Sequence, residues 1–237
     1  MTSTTTDVAT AREWIDERFA PASPAEFFLS PSRFVSCRRT PDSFSMTWYD
    51  AQCHGLGFGP APPIDPELTR CSIDDSRFAE RLGRLVAKDS WDFYSVDTSK
   101  PIGDASIDPL VEVVNDDAAI EQILRVHAPH SQVWPGNREI VNWYGLRGEG
   151  GRWASLATIV RWESGSYVLA SVVTVAEMRG RGYARQLLRG VIDDAKRRDI
   201  RWLGLGVAHD NVSAQRSYER VGFVRRAKFT NYALTTP

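Results

Sequence analysis

Apolar positions recur along this chain with two different periods, and the alternation between them divides it into elements. In residues 183–197, Ala184, Leu187, Leu188, Val191, Ile192 and Ala195 fall at i, i+3, i+4, i+7, i+8 and i+11. Arg185, Arg189, Asp193, Asp194, Lys196 and Arg197 take the other side, so an amphipathic helix is predicted. Shorter helices are predicted over 8–19 (Val8, Ala11, Trp14, Ile15, Phe19) and over 116–128. The second has Asn115 as its cap and a stripe of Ala119, Ile120, Ile123 and Leu124. Another is expected over 72–87, with Phe78, Leu82 and Leu85 on one face and Ser72 or Asp74 as N-cap. A last one begins at Asn211 and stops at Gly222.

Strand-like runs fill much of the remainder: 33–39, 43–51, 91–96, 110–114, 141–147, 152–162, 167–175, 202–207 and 223–234. The segments 20–32 and 97–109 read as connectors. The stretch HGLGFGPAPPIDP (54–66) reads as loop, since its glycines and prolines interrupt either element. From 141 to 175 the runs are joined by the turn sequences GEGG and ESGS, an antiparallel meander; helix, strand, helix, strand then follow. The expected class is α/β (α+β), with a mixed, mostly antiparallel sheet flanked by helices.

Composition narrows the function. The chain has 237 residues, 42% hydrophobic and 25% charged, with a formal net charge of −1. That balance suits a soluble globular protein and gives no field for nucleic acid or an anionic membrane. Cys37, Cys53 and Cys71 form no CxxC pair, and their odd number suits a reducing compartment. Without a membrane-length apolar run or a signal-peptide pattern, a cytoplasmic protein is expected. No metal site is expected: His127 and His130 read as ordinary loop residues.

The chemistry-bearing stretch is VTVAEMRGRGYARQLLRG, Val173–Gly190, where a strand empties through glycines and arginines into the long helix. A helix N-terminus presents unpaired N–H groups and partial positive charge, and glycine lets an anion come close. Arg179, Arg181 and Arg185 add charge, so the loop reads as a pyrophosphate cradle. It is no P-loop, lacking Lys-Ser/Thr, and no dinucleotide fingerprint, having Arg185 where a third small residue is needed.

Arg179, Gly180, Arg181, Gly182, Tyr183 and Ala184 fit Arg-x-x-Gly-x-Ala. Asn211, Ala214, Tyr218, Gly222 and Phe223 fit Asn-x-x-Ala-x-x-x-Tyr-x-x-x-Gly-Phe. With both motifs in order, residues 108–237 resemble the GNAT-type N-acetyltransferase superfamily. Two departures stand out: Ala176 where the family often has proline, and a strand RWLGLGV without the acid that often serves as general base.

The resemblance implies an acyl-CoA-dependent N-acyltransferase moving an acetyl group from acetyl-CoA, as cosubstrate, to a primary amine in a ternary complex, without metal. The backbone of Val172, Val173 and Thr174 would bond the pantetheine arm, and an N–H there would polarise the thioester carbonyl. Amides from Gly180 through Arg185 would take the pyrophosphate, Asn211 would contact pantetheine or a water, and Tyr218 would protonate the departing thiolate. No general base stands out among Glu163, Glu177, His209 and Asp210. Residues 1–107, rich in aromatics, are expected to be a lid or a degenerate second GNAT-like half, followed by the GNAT domain at 108–237. The partner expected is an amine acceptor, small molecule or protein, with the chain a monomer or homodimer. A non-catalytic acyl-CoA sensor and a protein-interaction module are the rival readings.

Overall fold

The computed structural model describes residues 1–50, 52–65, 67–74, 85–101 and 111–234. In chain order, the elements begin with β1 (Ser3–Thr5), α1 (Val8–Arg18), α2 (Pro24–Phe28), β2 (Phe34–Arg39), β3 (Phe44–Asp50), β4 (Gln52–Phe58), β5 (Arg70–Ile73) and β6 (Leu85–Asp97). They continue with β7 (Val111–Val113), α3 (Asp117–His127), β8 (Ile140–Arg147), β9 (Trp153–Arg161) and β10 (Tyr167–Thr174). Last come α4 (Tyr183–Arg197), β11 (Trp202–Ala208), α5 (Val212–Glu219) and β12 (Val224–Leu234). The class is the expected mixed α+β, with mostly antiparallel strand pairing.

Two compact units emerge. The first holds Met1–Tyr94, Gly206–Asn211 and Arg225–Pro237; the second holds Ser95–Leu205 and Val212–Val224. The division expected after residue 107 falls outside the described residues.

In the first unit β2, β3 and β4 form an antiparallel set, β5 joins β4 in parallel, and β12 pairs antiparallel with β5 through Thr230↔Ile73 and Tyr232↔Cys71. Aromatic packing fills the core. Phe229 of β12 stacks on Trp91 at 4.6 Å and meets Phe58 edge-on at 5.6 Å, while Phe27 meets Phe93 at 5.2 Å. Cys37, Cys53 and Cys71 are free and buried, and burial pushes the Cys37 and Cys71 thiols up to about 12, leaving them neutral packing residues.

Several expectations change here. Residues 54–58 belong to β4, not to a loop. A Cβ added at Gly57 would come within 2.9 Å of the rigid Pro62 ring, which calls for glycine there, while one at Gly55 would meet only the mobile methyl groups of Leu68 at 2.8 Å. Ser72 is no helix cap: it lies in β5, and its hydroxyl donates to Asn231 Oδ1 at 2.5 Å. Asp74 instead accepts the Gly59 amide at 2.8 Å. Val86 and Ala87, at the far end of the expected helix, lie in β6; Phe78 and Leu82 are outside the described residues. The 20–32 connector contains α2, whose cap Ser23 accepts from Glu26 N while the Glu26 carboxylate accepts from Ala22 N at 2.8 Å.

The second unit carries the meander β7–β8–β9–β10, antiparallel throughout, with β11 parallel to β10. Helix α4 packs on β8, β9 and β10, and α3 packs on β10. The α4 stripe is the one the spacing predicts: Leu187, Leu188, Val191, Ile192 and Ala195 are all buried. In α3 the cap is Asp116 rather than Asn115, its carboxylate accepting from Ala119 N at 3.0 Å.

Candidate acyl-CoA site

The site in the second unit is built around an irregularity in β10. Its register with β9 shifts between Ala170 and Val173, and Ser171 sits there with φ 49°. A bulge of this kind bends the strand and ends regular pairing. Within this unit the parallel ladder to β11 runs through Tyr167↔Leu203 and Val168↔Gly204. Beyond Val168, the β10 edge turned from β9 has backbone groups outside that ladder. Val172, Val173 and Thr174 occupy this stretch, with Val173 buried and the other two partly so.

The end of β10 is held firmly. Ser155 Oγ donates to Val173 O at 2.6 Å and lies 3.0 Å from Thr174 Oγ1, while Val175 N donates to Ala154 O at 2.9 Å. Ser171 Oγ donates to Val133 O at 2.7 Å, which ties the bulge to the loop after α3. Arg179 Nε donates to Thr174 O at 3.1 Å and its Nη2 to His127 O at 3.4 Å. The Arg179 guanidinium therefore fixes the loop between strand and helix.

That loop makes the entry to α4. Gly180 and Gly182 have φ of 77° and 83°, the left-handed region in which glycine is unstrained. A Cβ on Gly180 would meet nothing within 4 Å, and one on Gly182 only the tips of Arg185 and Gln186 at 3.8 Å. Open space thus lies over both. Gly182 is the N-cap residue, and no side chain caps the helix, nor does any acid stand in its first turn. Tyr183, Ala184 and Arg185 form that turn. Both usual compensations for the positive end of a helix are missing from a fifteen-residue helix. Arg181 pairs with Glu149 at 3.3 Å on the surface, and Arg185 is exposed.

Tyr218 lies in α5 and is buried at 7% exposure. Burial pushes its phenol well above the ordinary value, so it stays protonated at neutral pH. Gly222 takes φ 93°, its N–H reaches Glu219 O at 3.1 Å, and Phe223 N reaches Tyr218 O at 3.1 Å, a Schellman stop. Asn211 precedes α5 and belongs to the first unit. Among the described residues no cluster of His, Cys, Asp or Glu could hold a metal. His127, read as an ordinary loop residue, caps the Ala176 amide through Nδ1 at 3.4 Å. His209 pairs with Asp92 across 117 positions, a contact that no local pattern could reveal.

Residues 99–223 match the sequence model of the acetyltransferase (GNAT) family. The chain belongs to the GNAT acetyltransferase family. Solved structures share the fold at low identity. A GNAT-family acetyltransferase from Colwellia psychrerythraea is 11% identical with a TM-score of 0.58, over 99% of this chain and 100% of its own. A GCN5-related N-acetyltransferase from Sphaerobacter thermophilus is 14% identical with a TM-score of 0.57, over 98% and 94%. A tandem GNAT protein from the clavulanic acid biosynthesis pathway is 12% identical with a TM-score of 0.54, over 100% and 99%. These alignments extend over nearly the whole chain, beyond the family-matched segment. Among curated proteins none matches. No described helix is long and apolar enough to cross a membrane.

Proposed function

We propose that this GNAT protein transfers an acetyl group from acetyl-CoA to a primary amine, in a complex holding both substrates. The observation that carries the reading is the uncapped start of α4. A helix end with no capping side chain, no acid in its first turn and open space over Gly180 and Gly182 favours a bound anion. A pyrophosphate supplies one, and the amides from Gly180 through Arg185 are the donors for it.

The other residues divide the work. The backbone of Val172, Val173 and Thr174 offers an extended edge to a pantetheine arm, and an N–H on that edge polarises the thioester carbonyl. Asn211 contacts the arm or a water. Tyr218 holds a proton that it gives to sulfur as the carbon–sulfur bond breaks. The loop anchored by Arg179 holds these donors in place before the substrate arrives.

Calorimetry with acetyl-CoA, followed by a thiol-release screen over primary amines, tests the proposal. Saturable binding and thiol release with at least one amine are expected. No binding of acetyl-CoA overturns the reading. Equal binding of acetyl-CoA and CoA without release to any amine replaces it with a non-catalytic sensor.

A further inference from the structure

In the first unit an amine, an imidazole and a buried carboxylate stand in line. Asp92, on β6, is fully buried, and its Oδ2 lies 2.7 Å from Nδ1 of His209. His209 follows Ala208, the last residue of β11; its side chain is 39% exposed, and its backbone N–H donates to Ser90 O at 2.9 Å. The other ring nitrogen, Nε2, lies 2.9 Å from Nζ of Lys228 on β12. Arg225, also on β12, places Nη1 3.5 Å from Asp92 Oδ1. All four residues belong to this unit.

These contacts fix the tautomer. A lysine ammonium only donates, so Nε2 is the accepting nitrogen, and Nδ1 carries the hydrogen given to Asp92. The Lys228 ammonium thus meets a base rather than a carboxylate, at a distance across which its proton can pass. The imidazolium so formed keeps its Nδ1–H on the buried Asp92. Nucleophile, base and a third group that orients the base are the parts of an activated nucleophile. Lys228 itself is exposed, and the next residue, Phe229, is buried and holds the strand beneath it.

The neighbouring cations of β12 could not play this part. Arg225 and Arg226 keep their charge at any physiological pH, whereas a lysine can give up a proton and become a neutral nucleophile. The chain has four lysines, Lys88, Lys100, Lys196 and Lys228, and all are exposed. Among the described residues, Lys228 alone of them has an imidazole at hydrogen-bond distance. We propose that Lys228 is an acyl-accepting modification site, whose amine reacts directly with acyl thioesters from solution. His209 is the base that takes its proton, and Asp92 is the positioning residue behind His209. The assignment is independent of the acyltransferase reading above, because every group it uses lies in the first unit.

In balance, the Lys228 ammonium gives one proton to Nε2, and the freed lone pair forms the carbon–nitrogen bond at the thioester carbonyl. The carbon–sulfur bond breaks and the electron pair leaves on sulfur. The nitrogen's second proton passes through water to the thiolate, and the imidazolium returns its own to solvent. The products are an acylated lysine, a free thiol and one released proton. The modified side chain has lost its charge, and with it the donor that faced His209.

The test uses the other three lysines as internal references. The full chain is incubated at neutral pH with S-acetyl-N-acetylcysteamine, a thioester that carries no pyrophosphate. Acetylation at each lysine is followed by peptide mass spectrometry. Lys228 is expected to react on the order of 10²-fold faster than Lys88, Lys100 and Lys196. His209→Gln should bring Lys228 down to the rate of the other three and leave theirs unchanged. Asp92→Asn, which favours the wrong tautomer, should slow Lys228 alone. If Asp92→Asn does not fold, His209→Gln, at a partly exposed position, decides without it. A Lys228 rate no greater than the reference lysines, or an enhancement that survives His209→Gln, overturns the assignment. Tyr218→Phe should leave the Lys228 rate unaltered. A fall there would route the label through the acyl-CoA site and overturn direct acylation, while the acyltransferase reading keeps its own test in amine turnover.

Discussion

Phe223 meets the ring of Tyr218 edge-on, with centroids 5.8 Å apart at 60°, while its amide closes the helix on the Tyr218 carbonyl at 3.1 Å. The Gly-Phe end of the motif therefore both stops α5 and orients the phenol at its last turn. Tyr218→Phe keeps that packing and removes only the hydroxyl. Turnover is expected to fall roughly 10²–10⁴-fold, about 3–5 kcal/mol of barrier, with the KM for acetyl-CoA and the melting temperature little changed. Steady-state kinetics with chemistry rate-limiting provide the check. A variant within threefold of wild type would make Tyr218 a packing residue.

The helix stop can be tested separately. Gly222 has φ 93°, and a Cβ there would make only ordinary contact with Val96 at 3.6 Å. The penalty is therefore conformational. Gly222→Ala should lose about 1–2 kcal/mol in denaturant unfolding, and Gly222→Asn, which tolerates the left-handed region, should lose less. Equal losses for the two would show that space, not backbone, sets the requirement.

For the cradle, charge is a cleaner probe than bulk. A valine at Gly182 would be strained at φ 83° before any ligand arrived, so lost binding would be ambiguous. Arg185 is exposed and free to change sign without disturbing the core. Arg185→Glu should weaken acetyl-CoA binding on the order of tenfold, and the deficit should shrink at high salt. Calorimetry at two ionic strengths reads both. Unchanged affinity would remove Arg185 from the site.

Acid stability should depend on Asp194. Burial pushes its carboxyl up, but hydrogen bonds from Tyr144 at 2.7 Å and Arg198 at 2.6 Å prevail and hold it below 3.8. A depressed folded value gives stability that is complete above the unfolded value and is lost as pH falls through the folded one. Asp194→Asn should therefore be less stable by about 1–2 kcal/mol at pH 7. The gap should close below pH 3.8, as urea titrations at several pH values would show. A constant gap at all pH would mean that shape, not charge, matters at this position.

A fragment of residues 108–237 should be poorly soluble. It keeps β12, whose Phe229 and Tyr232 are buried in the first unit against partners such as Trp91, Phe58 and Cys71. Freed of those partners, the strand exposes an apolar face and an unpaired edge. Light scattering on the purified fragment decides it: a monomeric, cooperatively folding and active fragment would show residues 1–107 to be dispensable.

What could be read from the sequence was what local spacing encodes. The α4 stripe repeats over three turns, the meander turns carry glycines, and both motifs are contiguous, so helices, hairpins and the family resemblance were visible. The segments that misled have properties decided elsewhere in the chain. Gly55 and Gly57 look like loop punctuation until Leu68 and Pro62 are seen beside them. Ser72 resembles a cap, yet its partner Asn231 lies near the other end of the chain. The cradle is likewise local and legible, whereas the pairing of His209 with Asp92 spans 117 positions and leaves no local signal.

The pairing of β5 with β12 also bears on how the protein is made. Ile73 waits for Thr230, so one neighbour of an interior strand is made 157 residues (230 − 73) after it. At ~5–20 residues per second, β5 spends roughly 10–30 s of synthesis without it. By the end of that interval, once Val224 has been added, the second unit has all its residues, while the first still has a gap where Phe229 belongs. A chain truncated after Val224 and released should therefore keep a protease-resistant later unit while its earlier residues still recruit chaperones.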